Sequence, residues 1–140
     1  MENIEFFKSP CENPISDETL HSYLSQLNFT DTKVKVSNLS GGNKRKVNIM
    51  IGLLSRPKIL IIDEPTEGID LESRYDIHNL LQQMTDQCLI IMTTHHLDEV
   101  EALADDIKVI GQNPFYHDIL ENKGWSFKKY ANALADNTKS

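Results

Sequence analysis

Ile59-Leu60-Ile61-Ile62-Asp63-Glu64-Pro65 decides how this chain folds. Residues 59–62 are an unbroken aliphatic run rich in β-branched side chains, with strand length and no alternation of apolar and polar positions. Such a run predicts a strand covered on both faces, as in a parallel sheet. It stops at two carboxylates and at a proline, which has no N–H to continue a ladder.

Working outward, residues 88–93 repeat the pattern and predict a second buried strand, ending at Thr94-His95. Between the two runs, Ile77, Leu80, Leu81 and Met84 recur at helical spacing, so a helix is expected from near Asp70. A short helix over 97–105 and a third strand over 107–110 follow. Upstream of Pro57, the positions Val47, Met50, Ile51 and Leu54 mark a helix entered at Ser40-Gly41-Gly42. Leu20, Tyr23, Leu24 and Leu27 mark another over 17–27, with Ser16 or Asp17 as its cap. The order strand, helix, strand, helix, strand specifies an α/β fold: a parallel sheet flanked by helices, with right-handed crossovers. Residues 1–14, with Pro10 and Pro14, read as an irregular lead-in. Residues 112–140 read as an irregular cap in which Gly111, Pro114 and Gly124 break any period, with residues 132–140 frayed.

Composition narrows the function. The 140 residues are 39% apolar, enough for one ordinary core, and carry 21 acidic against 14 basic side chains. A net charge of −7 argues against nucleic acid as a partner, since phosphate binding draws on a surplus of Lys and Arg. Cys11 and Cys88 form no CxxC, so neither a zinc ribbon nor a disulfide framework is expected, and a reducing compartment fits. No apolar run approaches the ~18 residues of a membrane-spanning helix. The N-terminus lacks the basic start and apolar centre of a secretory signal.

In open parallel sheets, ligands bind beyond the carboxyl ends of the strands. Asp63-Glu64 stands at one such end. One carboxylate there can hold a metal or its water, and a second can accept a proton from an attacking water. A solvated strand end with a Pro65 turn is the plain alternative. Thr94-His95 stands at the other end and offers a hydrogen-bond donor to a phosphoryl group; a satisfied loop histidine is its plain alternative. Ser40-Gly41-Gly42 presents a hydroxyl and free N–H groups at a helix entrance, which attracts anions. Lys44, Arg45 and Lys46 follow where the helix dipole disfavours cations, so phosphate is one candidate partner and a solvated basic face the other. His96, near Asp98 and Glu99, has no third metal ligand at suitable spacing and reads as a surface residue.

Together these segments resemble the C-terminal half of the nucleotide-binding domain of ATP-binding cassette (ABC) transporters. Leu39-Ser40-Gly41-Gly42-Asn43 is similar to the family signature, and residues 59–64 resemble the Walker B strand with its catalytic glutamate. Residues 66–70 resemble the D-loop, and Thr94-His95 the switch histidine. The wording of residues 40–46 and 94–99 is most similar to the eukaryotic A subfamily, many of whose members move lipids. The resemblance implies a partial P-loop NTPase fold: 15–56 as helical signature region, 57–111 as Walker B, D-loop and switch core, and 112–140 as cap. It implies ATP as ligand, Asp63 positioning magnesium, Glu64 as general base and His95 contacting the γ-phosphate. It implies further that Ser40, Gly41, Gly42 and Asn43 clamp ATP held by a second nucleotide-binding domain in a head-to-tail dimer. Asp70 would link the two sites. Transmembrane domains would be partners, at the cytoplasmic side of a membrane.

The sequence contains no GxxxxGK[ST], the loop whose amides and Lys cradle phosphates. No glutamine loop precedes residue 15, and Asn43 stands where Gln is usual. The chain alone is therefore expected to be inactive, and to be poorly soluble or marginally stable in isolation because a sheet edge is left unpaired. A non-catalytic remnant or regulatory partner completing another subunit's ATP site is one alternative. A soluble ABC-type ATPase is another.

Overall fold

The computed structural model describes residues 2–30, 34–111 and 114–124. The chain divides into two compact units, Met1–Leu103 and Ala104–Ser140.

The first unit runs α1 (Glu2–Lys8), α2 (Asp17–Gln26), a 3-10 turn at Val36–Asn38, α3 (Gly41–Leu53), β1 (Ile59–Asp63), α4 (Leu71–Met84), β2 (Leu89–Thr93) and α5 (Leu97–Leu103). Three of its helices start by the same chemistry. The side chains of Ser16, Ser40 and Asp70 accept hydrogen bonds from the backbone N–H groups of Thr19, Asn43 and Ser73, filling donors that a first turn leaves open. Ser16, not Asp17, is the cap of α2. The helical faces expected from spacing are buried: Leu20 and Leu24 on α2, Val47 and Met50 on α3, and Ile77, Leu80, Leu81 and Met84 on α4. They share one core with Leu27, Leu54, Leu60 and Cys88.

β1 and β2 pair in parallel, Ile59 against Leu89 through Asp63 against Thr93, with α4 as the connection between them. A parallel pair requires such a crossover. Among the described residues, only one face of this two-stranded sheet is covered. Leu60 is buried, and Ile62 and Ile90 pack on the core, whereas Ile59, Ile61, Leu89 and Ile91 are 55%, 75%, 60% and 48% exposed. This corrects the expectation of strands covered on both sides: the helices of this unit lie against a single face.

Two further expectations are corrected. Residues 2–8 are helical where an irregular lead-in was expected; α1 is about two turns long, too brief to show a period, and buries Ile4 in the core. Residues 107–110 form no strand, because no described segment offers them a ladder, and Ile110 is 93% exposed.

In the second unit, α6 (Pro114–Asn122) replaces the expected irregular stretch. Pro114 is its first residue, where a proline's missing N–H costs nothing, and Gly124 follows its end at φ +84°. These residues bound the helix, although in the sequence they read as breakers. Residues 125–140, including the segment expected to fray, lie outside the described residues.

Candidate active site at the strand carboxyl ends

The parallel register sets Asp63 beside Thr93. The Thr93 hydroxyl donates to Asp63 Oδ1 and accepts from the Glu64 N–H at 3.2 Å. Glu64 also donates its N–H to the Thr93 carbonyl at 3.2 Å. At φ +44°, Glu64 occupies the left-handed region, which a non-glycine residue holds only when its surroundings enforce it. The chain then turns through Gly68 at φ +69°, where a side chain would be strained.

This geometry brings Glu64 to His95, whose Nδ1 lies 3.0 Å from Glu64 Oε1. The other ring nitrogen lies 3.4 Å from Glu67 Oε2. The hydrogen bond to Glu64 and the charges of Glu64 and Glu67 raise the His95 pKa above its ordinary value. Asp63, Glu64 and His95, picked from separate parts of the sequence, thus stand together at the carboxyl ends of two adjacent strands.

Behind them lies a buried network. The Glu99 carboxylate, wholly buried on α5, accepts from the Thr66 hydroxyl and faces His78 Nε2 at 3.2 Å. Burial pushes its pKa up, but hydrogen bonds from His78, Thr66 and Thr94 outweigh that and hold it at about 2. Glu99 ties the loop after β1 to α4 and to the loop after β2. Its neighbour Asp98 pairs with Arg74 at 2.9 Å, so neither carboxylate faces His96, which instead meets Glu67 Oε2 at 2.9 Å. Sequence reasoning assigned no individual role to Thr93 or His78, and placed Thr66 and Glu67 only within a stretch resembling the D-loop. Only the strand register carried a signal for Thr93, and no local signal pointed to His78 or to the contacts of Thr66 and Glu67.

The glycine-rich stretch sits elsewhere. Ser40 is exposed and caps α3, and Gly41 has open space beside it. Gly42 is buried against the start of α4, where Asp70 caps the helix through a 2.8 Å bond from the Ser73 N–H. That bond, followed by one from the Ser73 hydroxyl, lowers the Asp70 pKa. The Asn43 N–H is taken by Ser40 Oγ at 3.2 Å. The basic trio is divided: Lys44 is exposed, while Lys46 turns inward to Asp76 Oδ2 at 2.7 Å. The inward turn answers why a cation is tolerated there; its partner is a carboxylate, which replaces both the expected phosphate and the expected solvent. Asn28 Nδ2 donates to the other Asp76 oxygen at 2.7 Å.

This arrangement, a parallel βαβ unit with carboxylates and a histidine at the strand ends and a capped glycine-rich helix entrance, is that of an α/β protein whose polar groups gather beyond the carboxyl ends of its strands. Residues 2–67 match the ABC transporter family. ABC transporter A family member 7 of Dictyostelium discoideum is 34% identical over 99 residues, 70% of this chain and 12% of that protein. The xylose import ATP-binding protein of Thermoanaerobacter pseudethanolicus is 41% identical over 91 residues, 63% of this chain and 18% of that protein. A dimeric post-hydrolysis ATP-binding cassette bound to ADP and Pi superposes with a TM-score of 0.59 at 24% identity, over 72% of this chain and 47% of that one, a likeness of fold. The chain belongs to the ABC transporter nucleotide-binding family. It spans about a fifth or less of the length of the Dictyostelium and Thermoanaerobacter proteins. No described helix is long and apolar enough to cross a membrane.

Proposed function

We propose that this chain supplies the Walker B, switch and signature groups of an ABC transporter's ATP-hydrolysing module. The observation that carries the reading is the 3.0 Å approach of His95 Nδ1 to Glu64 Oε1 beside Asp63, at the ends of paired strands. Glu64 is the general base: its carboxylate accepts a proton from the water that attacks the γ-phosphorus. Glu64 Oε2 is buried and, among the described residues, has no hydrogen-bond partner. Asp63, at the carboxyl end of β1, is a hard-oxygen donor suited to magnesium, which would neutralise phosphate charge when bound. His95 holds Glu64 in place and turns its ring toward the γ-phosphate when nucleotide enters.

Ser40 and Gly41, exposed at the start of α3, face the phosphates of ATP held by a second nucleotide-binding domain, and Asn43 and Gly42 shape that turn. Asp70 fixes the α4 entrance at the same interface. Since these 140 residues carry no GxxxxGK[ST], the phosphate cradle lies outside them, and the given polypeptide alone does not turn over ATP. Transmembrane domains complete the transporter at the cytoplasmic side of a membrane. The wording of residues 40–46 and 94–99, similar to the A subfamily, favours lipid as cargo.

The test is ATP hydrolysis by this chain, alone and mixed with a P-loop-bearing cassette domain. Turnover is expected only in the mixture, with Ser40→Arg abolishing the stimulation. Installed in a cassette that carries its own P-loop, Glu64→Gln should lower the rate by about 10²–10⁴. Glu64-dependent turnover by the chain alone would refute the division of labour.

A further inference from the structure

His95 Nε2, His96 Nε2 and Glu67 Oε2 converge on one point of the surface. The carboxylate oxygen lies 3.4 Å from the first nitrogen and 2.9 Å from the second, and all three atoms fall within 4.8 Å of one another. The two rings stand 4.2 Å apart, tilted by 34°. The cluster opens to solvent, with side-chain exposures of 51%, 25% and 50% for His95, His96 and Glu67.

Zinc takes His nitrogens at about 2.0–2.1 Å and carboxylate oxygens at about 2.0–2.2 Å in a tetrahedron, whose donors therefore sit about 3.3 Å from each other. The Glu67–His95 and Glu67–His96 separations already bracket that value. Two imidazoles and one carboxylate make up a three-ligand set that leaves the fourth position to water. Nitrogen donors select zinc, cobalt, nickel or copper over magnesium, which prefers oxygen alone. The sequence hides the site because its third ligand, Glu67, lies far back in the chain; the turn after β1 and the parallel register bring it to the two histidines.

We propose that Glu67, His95 and His96 form a binding site for a divalent transition metal of the zinc class, separate in its donors from the Asp63–Glu64 oxygen site. Coordination replaces the hydrogen bonds of both rings to Glu67, and each ring must be neutral to bind. The site stands on the positions of three side chains and holds whether or not this chain takes part in ATP hydrolysis.

The test is titration of the full chain with cobalt(II) chloride, followed by the visible d–d absorption of a tetrahedral complex, and with zinc(II) chloride against a chromogenic chelator. One equivalent should bind. His96→Gln and Glu67→Gln should each weaken binding by about tenfold or more, while His21→Gln and Cys11→Ser leave it unchanged. To avoid any dependence on how variants fold, the histidine ring nitrogens of the unaltered chain are read by NMR with zinc. Shifts of His95 and His96 alone, among its five histidines, are the expected result. Absence of binding, binding indifferent to His96 and Glu67, or zinc-induced shifts confined to other histidines would each overturn the site.

Discussion

Gly42 meets Ser73 with no room for a side chain: a Cβ on Gly42 would fall 2.1 Å from Ser73 Oγ and 2.7 Å from Ser73 Cβ. The Oγ can rotate away, but the Cβ is fixed by the α4 backbone, so α3 and α4 would have to separate. Gly42→Ala is therefore expected to cost about 1–3 kcal/mol, the usual range for overpacking. Adding Ser73→Gly should recover part of the loss. An unchanged denaturation midpoint for Gly42→Ala would show that the helices part freely.

Lys46 and Asp76 form an ion pair with side chains only 5% and 8% exposed. Removing one partner strands a buried charge, so Lys46→Met should destabilise by about 3–5 kcal/mol. The double change Lys46→Met with Asp76→Leu should cost less than either single change, despite leaving Asn28 Nδ2 without its acceptor. Chemical denaturation of the three variants measures this, and additive losses would contradict the pairing.

Glu99 is held at about 2, below its ordinary value of 4.5. A carboxylate with a lowered pKa stabilises the fold above its unfolded value, and that contribution fades as pH falls from about 4.5 toward 2. Glu99→Gln should lower stability at neutral pH by about 1–3 kcal/mol and flatten the stability profile across that acid window. Thermal melts between pH 6 and pH 2.5, as an approximate working range, test both signs at once. A profile as steep as that of the unaltered chain would remove Glu99 from the account.

The open sheet face carries Ile59, Ile61, Leu89 and Ile91, two from each strand. Contiguous exposed apolar side chains on a short sheet drive association. This polypeptide is expected to self-associate with rising concentration, and Ile61→Lys with Ile91→Glu to suppress it, as read by light scattering after size exclusion. A monomer with a sharp, cooperative melt at high concentration would contradict the expectation.

Much of this was legible in the residues. Helix faces such as Ile77, Leu80, Leu81 and Met84 follow from spacing, because a buried stripe at period 3.6 has few other uses. The strand pair followed from two aliphatic runs, each ended by polar residues. What misled was context. The run at 59–62 looks buried on both faces, yet the strand leaves Ile61 75% exposed, since apolarity alone does not say how many layers cover a sheet. Residues 107–110 have strand composition but no partner among the described residues, and a strand exists only as part of a ladder.

The sequence by itself determined the faces of α2, α3 and α4, the two paired strands and the candidacy of Asp63, Glu64 and His95, because those depend on local propensity and short spacing. Tertiary structure alone decided that Lys46 turns inward to Asp76, that Gly42 serves close helix packing against Ser73, and that Glu67 reaches His95 and His96. Each of those contacts joins residues more than two dozen positions apart. Their approach is set by the parallel register and the crossing of α3 with α4, which no local pattern encodes.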